Sequence, residues 1–143
     1  MSFTTCLVVM AGGALGALAR YLFGFAALPI SNQLPWGTIL INIIGSFVIG
    51  LFGTLTLAGG RYPASDELRL FVMVGVCGGF TTFSSFSLQT LDLMRAGAMD
   101  RAAINVGLSV ALCIAAVAAG HTVGAKFNGG AHAIAQSAIE EEA

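Results

Sequence analysis

The residues with the most evident chemical potential form one run from Gly78 to Ser87, which reads Gly-Gly-Phe-Thr-Thr-Phe-Ser-Ser-Phe-Ser. Its two adjacent glycines weaken a helix, and five hydroxyl side chains follow them. The run lies within a stretch that is apolar enough to span a membrane. Interrupted backbone at membrane depth is tolerated mainly where protein buries it or where it lines a polar path. This run is therefore the first place to expect function.

Three phenylalanines recur at every third position of the run, Phe80, Phe83 and Phe86. Packing in a protein core is the simplest explanation, and on spacing alone it is favoured. The alternative uses the electrostatics of the rings, whose faces are negative and whose edges are positive. Ring edges can contact an anion weakly without supplying a full charge.

Two further stripes of polar residues occur at helical spacing. Their members, four residues apart, are Thr38, Asn42 and Ser46 in one stretch and Asn105, Ser109 and Cys113 in another. Hydrogen bonding between or within helices would explain a single serine or threonine. Asn42 is the strongest case for more, because a buried amide needs partners for its donors and its acceptor. Two stripes beside a hydroxyl-rich run favour a lined polar path.

Arg20 is an ionisable residue near the end of the first apolar stretch. A charge within the membrane indicates function by default, and the alternative is a side chain that extends to the interface. The first acidic residue of the chain is Asp66. The first two apolar stretches therefore offer Arg20 no carboxylate partner.

Four membrane-spanning helices must position these residues. Of the 143 residues, 57% are hydrophobic and 9% are charged, against about 25% charged in soluble domains. A mean hydropathy of +0.89 supports the same class, an all-α integral membrane protein. A spanning helix needs about 20 apolar residues. The qualifying windows run approximately over 3–28, 36–58, 68–94 and 102–126.

Turn and cap signals separate these windows. Pro29 and Pro35 bracket a short loop, Ser65 begins an N-cap region, and 95–101 is predicted as a loop before the fourth helix. The glycine pair predicts a break inside the third helix. Residues 1–126 thus form one four-helix transmembrane domain, and residues 127–143 form an acidic, mobile tail.

Small residues at four-residue spacing occur in all four windows. The pairs are Gly12/Gly16, Ser46/Gly50, Gly75/Gly79 and Gly120/Gly124. Such pairs allow helix backbones to approach closely. We expect most glycines of the chain to serve helix packing.

Cationic residues are nearly balanced between the two ends of a four-helix arrangement. One end carries Arg61, Arg69 and Lys126, and the other carries Arg95 and Arg101, with Arg20 if it reaches the interface. A cationic bias normally sets orientation, so a chain without it is predicted to insert both ways. Two oppositely inserted copies would form an antiparallel two-fold homodimer.

Other functional classes find little support. The net charge of -1 and the scattered cations predict no nucleic-acid partner. Cys6, Cys77 and Cys113 have no metal-ligand spacing, and His121 and His132 are read as incidental. No nucleophile–base constellation is visible, so an enzyme is not expected. The first segment lacks a positive n-region and is expected to be retained.

Together these residues resemble the Fluc family of fluoride channels, also called CrcB proteins, from about Val9 to Lys126. The motifs are Gly12 to Ala17 with Arg20-Tyr21, Gly37-Thr38, Asn42 with Gly45-Ser46-Phe47, and the run from Gly78 to Ser87. The last is the most specific of them when it lies in the third of four helices. The acidic tail lies outside the resemblance.

The resemblance implies an antiparallel, dual-topology homodimer with two anion pores and a central Na⁺. Backbone carbonyls of Gly78 and Thr81 from both subunits would hold that sodium ion, and Arg20 would make the pore entrance electropositive. The implied pore residues are Thr38, Asn42, Phe80, Thr82, Phe83, Ser84, Phe86, Gln89, Asn105, Ser109 and Cys113. This sequence departs from many relatives, which carry glutamate in place of Gln89, serine in place of Cys113 and often tyrosine in place of Asn105.

The implied function is passive export of fluoride across the cell (inner) membrane, which lowers fluoride toxicity. Asn42, hydroxyls and ring edges would replace the ion's water piecemeal. Two alternatives remain at this point. A small multidrug-type transporter needs a carboxylate in its first helix, which this chain lacks. A structural membrane subunit would explain the glycines and the apolar composition but not the polar stripes.

Overall fold

The computed structural model describes residues 2–128 and shows an all-helical chain over that range. Four helices are long and apolar enough to cross a membrane. They are α1 (Phe3–Ala26), α2 (Trp36–Leu55), α3 (Asp66–Arg95) and α4 (Met99–Phe127). A short 3-10 helix, Leu28–Ile30, follows α1. The predicted all-α class and the predicted number of spanning helices are confirmed.

Helix α3 consists of several parts with different backbone geometry. Its segments are α-helical Asp66–Arg69, π-helical Leu70–Cys77, α-helical Gly78–Phe80 and α-helical Phe83–Arg95. Between the last two, Thr81 (φ -76°, ψ 158°) and Thr82 (φ -154°, ψ 107°) have extended backbone. Ser65 caps the beginning of α3 by accepting a hydrogen bond from the Leu68 N–H, as predicted.

Helix α1 packs closely against the first half of α3 through glycines. A Cβ on Gly75 would lie 2.9 Å from the Cα of Gly12, and one on Gly16 would collide with the carbonyl oxygen of Val76. Contacts this close require that no side chain stands between the two backbones. The predicted packing role of these small-residue pairs is confirmed.

Helix α2 packs against α4 in the same manner. A Cβ on Gly120 would collide with the carbonyl oxygen of Phe47, and one on Gly50 would collide with that of Val117. The four helices thus form two tightly packed pairs, α1 with α3 and α2 with α4. The polar residues of α2 and α4 lie beside the extended segment of α3.

The helix ends differ from the predicted windows by a few residues. Helix α2 ends at Leu55 rather than near residue 58, and the Asn128 side chain donates to the carbonyls of Thr54 (2.7 Å) and Leu55 (3.2 Å) in its last turn. Arg101 lies within α4, so the predicted loop over 95–101 shrinks to 96–98. Gly97 has a φ of 75°, which permits this tight turn.

The predicted acidic tail falls mostly outside the described residues. Phe127 is the last residue of α4 and Asn128 follows it, whereas 129–143 lie beyond the described range, as does His132. The tail therefore stays a prediction.

Candidate functional site

A cavity of about 340 Å³, which we call the inner cavity, lies where α2, α3 and α4 meet. Six of the predicted pore residues line it: Asn42, Thr82, Phe83, Phe86, Ser109 and Cys113. Gly78 and Thr81, the two residues predicted to bind sodium, line it as well. Residues that are up to 71 positions apart in the chain thus converge on one space.

Asn42 holds the extended segment of α3 with both ends of its side-chain amide. Its Nδ2 donates to the carbonyl of Thr82 (3.2 Å), and the Thr82 N–H donates to its Oδ1 (2.8 Å). Asn42 is half-buried, and a single backbone residue provides partners for both its donor and its acceptor side. Because Nδ2 carries two N–H groups, one donor remains for another partner.

The extended backbone at Thr81 and Thr82 also changes the acceptors of two backbone N–H groups. In a continuous helix the Thr82 N–H would donate to the Gly78 carbonyl, and the Ser85 N–H to that of Thr81. Here Thr82 donates to Asn42, and Ser85 donates to the Thr82 hydroxyl (3.2 Å). The carbonyls of Gly78 and Thr81 therefore lack their helical donors within the described part of the chain.

Arg20 binds a third backbone carbonyl of the same region, that of Gly79. Its Nε donates to the Gly79 oxygen at 3.1 Å, which is how cations within membrane proteins are commonly accommodated. Arg20 is half-buried and lines a second cavity, between α1, the loop before α2 and the second half of α3. This bond links α1 to the backbone beside the extended segment of α3, and the predicted role of Arg20 at the pore entrance stays a prediction.

The three phenylalanines of the run have different environments. Phe83 is 78% exposed and Phe86 is buried, with ring centroids 5.3 Å apart and planes inclined by 47°. Phe80 instead packs edge-on against Phe23 of α1 at 6.3 Å. For Phe80 the packing interpretation fits, and its predicted pore role has no support from the cavities.

Ser84, like Phe80 and Asn105, is a predicted pore residue that lines neither cavity. Its side chain is exposed, and its Oγ lies 3.3 Å from the Thr82 hydroxyl oxygen. It belongs to the first turn of the helical segment that follows the extended residues. Its predicted pore role stays a prediction.

A larger cavity of about 850 Å³, which we call the outer cavity, lies between α1, the loop before α2, and the second half of α3. Four predicted site residues line it: Arg20, Thr38, Thr82 and Gln89. Thr82 lines both cavities, so they adjoin at the extended segment. Polar side chains line part of each cavity, and the larger part of both linings is apolar.

Three of the predicted residues, Gln89, Asn105 and Ser109, each carry a buried polar atom that lacks a partner among the described residues. Asn105 is fully buried; its Nδ2 donates to the Thr90 hydroxyl (2.8 Å), while its Oδ1 has no partner. The Gln89 Oε1 and the Ser109 hydroxyl are buried and unpartnered in the same way. Such groups cost free energy unless water, an ion or another chain satisfies them. They mark a region that interacts with something further.

Among the residues that line the outer cavity, Ser85, Asp92 and Arg101 were not predicted as pore residues, although Ser85 belongs to the run from Gly78 to Ser87. Arg101 also donates from Nη1 to the Gln33 side chain (3.3 Å) and so connects α4 to the loop before α2. Its placement was missed because the hydropathy windows assigned it to a loop. Asp92 lies three residues after Gln89, and Ser85 lies four residues before it. Helical periodicity therefore places both beside Gln89 on one face of α3.

Comparison with known proteins identifies a family. The family model described as "CrcB-like protein, Camphor Resistance (CrcB)" matches residues 7–121. A "Fluoride-specific ion channel FluC" of Methylobacterium radiotolerans is 69% identical over 142 residues, 99% of each chain. The protein of the same name from Gluconobacter oxydans is 69% identical over 144 residues, 100% of each chain. That of Methylocella silvestris is 56% identical over 123 residues, 85% of this chain and 94% of the relative.

Proposed function

This chain belongs to the CrcB-like family, and from that premise we propose that it is a multi-pass membrane channel selective for fluoride. Its relatives are named as ion channels and not as enzymes, which supports a transport role. The observation that carries the proposal is the inner cavity, where Asn42, Phe83 and Phe86 converge beside the extended segment of α3. The ion crosses passively, down its own gradient.

The cavity offers fluoride several weak ligands and no full positive charge. The unused N–H of Asn42, the unpartnered Ser109 hydroxyl and the edges of the Phe83 and Phe86 rings replace water in turn. Fluoride is small and strongly hydrated, so dehydration is the main barrier to entering the pore. Conduction requires sites that bind strongly enough to admit the ion and weakly enough to release it.

We further propose that two copies pair in antiparallel orientation and form two pores. The balanced loop cations support dual insertion, and the 78% exposure of the Phe83 ring beside a polar cavity supports a partner at that face. Lipid would otherwise contact the polar residues of the inner cavity, which is unfavourable. The partner copy closes that side and separates each anion path from the bilayer.

The same pairing fits a sodium ion on the two-fold axis. The Gly78 and Thr81 carbonyls have lost their helical donors and line the inner cavity, and hard cations take oxygen ligands. One chain supplies two such oxygens, which are too few, and a two-fold partner doubles them. A bound Na⁺ would neutralise these carbonyl dipoles and hold the two copies together.

The physiological role proposed here is fluoride export across the cell inner membrane. Hydrogen fluoride is neutral and enters cells from acidic surroundings, then ionises in the less acidic cytoplasm. A selective anion exit relieves that accumulation without losing chloride.

Flux from liposomes tests the proposal. Purified protein is reconstituted, and fluoride efflux is recorded with an ion-selective electrode, with chloride efflux measured in parallel. We expect rapid fluoride efflux and no chloride efflux above protein-free vesicles. Fluoride release equal to that of empty vesicles would refute the channel, and chloride release of similar size would refute its selectivity.

A further inference from the structure

The outer cavity is a groove between α1 and the second half of α3. Glycine contacts hold α1 against α3 as far as Gly79, where an added Cβ would collide with the Gly13 carbonyl oxygen. Beyond the extended segment, the part of α3 over Phe83–Arg95 packs against α4 instead. The two helices therefore separate, and the outer cavity is the space between them.

The groove has the size of a binding site for a small organic molecule. The residues of its α3 wall, from Ser85 to Ala96, extend over about 16 Å at 1.5 Å per residue. Its volume of about 850 Å³ lies within the range of about 300–1,000 Å³ that is typical of such sites.

Apolar side chains from three helices form the larger part of its lining, among them Phe25, Ile41 and Leu93. A hydrated inorganic ion gains nothing from apolar walls, whereas an organic molecule buries its own apolar surface against them. The lining therefore suits a ligand with an apolar body.

The charged side chains of the groove favour an anion. Arg20, Arg101 and Asp92 line it, so two cations and one carboxylate leave one net positive charge. Arg20 donates from Nε to the Gly79 carbonyl (3.1 Å), and its other four N–H groups have no partner within residues 2–128. A guanidinium with free N–H groups binds a carboxylate or a sulfonate through two parallel hydrogen bonds.

We propose that the outer cavity is a binding site for a small amphipathic organic anion. The carboxylate or sulfonate of the ligand binds the free N–H groups of Arg20, and its apolar body lies along Phe25 and Leu93. One net positive charge in the groove matches one anionic group on the ligand. Binding is reversible and breaks no covalent bond.

The consequence for transport rests on the proposed channel function. Thr82 lines both cavities, so a ligand bound beside it stands where the outer cavity meets the inner one. A fluoride ion is smaller than this ligand and needs the same passage. We therefore expect the organic anion to block fluoride flux.

Equilibrium dialysis tests the site without any transport measurement. Full-length protein in a neutral detergent is dialysed against naphthalene-2-sulfonate, and protein-free micelles correct for partition into the detergent. We expect saturable binding. Naphthalene-2-sulfonamide, which has the same rings and no charge, should bind at least about tenfold more weakly. Equal binding of the two compounds would overturn the assignment to an anion.

Two variants test the location of the bound sulfonate. Gly24 lines the groove, and a Cβ there meets nothing within 4 Å, so Gly24→Leu extends a side chain into the open space. Arg20→Gln removes the guanidinium. Each should weaken sulfonate binding by about tenfold or more, and Arg20→Lys, which keeps the charge, should retain part of the affinity.

Matched controls exist for both changes. Gly107→Leu adds the same side chain to α4, where a Cβ also meets nothing within 4 Å. Arg95→Gln removes a cation from the last turn of α3. Neither residue lines either cavity, so both variants should bind the sulfonate as the wild type does. Wild-type binding by Gly24→Leu, or equal losses in Arg20→Gln and Arg95→Gln, would overturn the site.

Fluoride efflux from liposomes tests the block, with each protein compared with its own flux before the sulfonate is added. A saturating sulfonate should lower the efflux of Gly107→Leu protein and leave that of Gly24→Leu nearly unchanged. Full efflux from Gly107→Leu protein at saturation would overturn the placement beside Thr82. If no variant conducts fluoride yet Gly24→Leu alone loses sulfonate binding, the site stands and the channel proposal fails.

Discussion

Among single residues, Asn42 joins the inner cavity to the backbone of α3. One amide both exchanges two hydrogen bonds with Thr82 and lines the inner cavity. Its importance was predictable from its type and depth, because a buried amide has several groups to satisfy. Its partner was not predictable, since Thr82 lies 40 residues away and the contact depends on how α2 packs on α3.

Replacing Asn42 by alanine should therefore impair both structure and transport. The Thr82 N–H loses its acceptor, which costs about 1–3 kcal/mol for a buried donor. Fluoride efflux should fall by at least about tenfold, equivalent to about 1.4 kcal/mol in a barrier. Thermal unfolding and liposome efflux measure the two effects.

Thr122→Ala is the control for the Asn42 substitution. Thr122 is an exposed residue of α4 whose hydroxyl donates to the Ala118 carbonyl of its own helix. It should leave stability and flux close to the wild-type values. If Asn42→Ala matched Thr122→Ala in both assays, the role of the amide described here would be wrong.

The two rings of the inner cavity give a second residue-level prediction. Phe83→Ile and Phe86→Ile keep an apolar side chain but remove the polarised ring edge. Each should slow fluoride efflux by about tenfold or more, while the protein still elutes as a dimer. Phe127→Ile, at the exposed end of α4, is the control. Normal efflux in both cavity variants would exclude the rings from the path.

The equal spacing of the three phenylalanines along the chain gave no sign that Phe80 has different ring contacts from Phe83 and Phe86. All three are three residues apart, so a regular helix would place them on one slowly drifting face. The extended backbone of Thr81 and Thr82 breaks that relation. Phe80 turns to Phe23 of α1, whereas Phe83 and Phe86 pair with each other at the inner cavity.

For whole helices, the number and class of elements followed directly from hydropathy, whereas their ends did not. Hydropathy falls where the apolar run stops, but a helix continues as long as its backbone groups find partners. Helix α4 thus begins at Met99, ahead of Asp100 and Arg101, with the acidic Asp100 in its first turn. The π-helical part of α3 has no sequence signal that we could identify.

Gly120 offers the clearest test of helix packing. Gly120→Ala should destabilise the protein by about 1–3 kcal/mol, because the new methyl group meets the Phe47 carbonyl on α2. Gly107→Ala on the same helix meets nothing within 4 Å and should be neutral or stabilising by up to about 1 kcal/mol. Denaturation in detergent compares them. Equal stability of the two variants would contradict the close α2–α4 contact.

For the molecule as a whole, the proposed dual insertion predicts labelling from both sides of the membrane. A single cysteine in place of Ala96, in the turn between α3 and α4, is introduced into protein lacking its native cysteines. An impermeant thiol reagent should label about half of the molecules from outside intact vesicles, and the rest after permeabilisation. Labelling from one side alone would refute the antiparallel pair.

Sodium removal tests the proposed central cation. Replacing Na⁺ by a large organic cation on both sides of the vesicle should lower fluoride efflux, because the Gly78 and Thr81 carbonyls would lose the cation that they share. Returning Na⁺ should restore the efflux. Unchanged efflux in sodium-free vesicles prepared from sodium-free protein would argue against a functional cation site.

The two bonds of Asn42 have a thermodynamic consequence for the assembled protein. The amide that faces the anion path fixes Thr82, and by fixing Thr82 it deprives the Gly78 carbonyl of its helical donor. If the proposed sodium and fluoride sites both form here, one backbone segment couples them. Linkage requires reciprocity: whatever free energy sodium contributes to fluoride binding, fluoride must return to sodium. An anion channel would in this way respond to the concentration of a cation that it does not conduct.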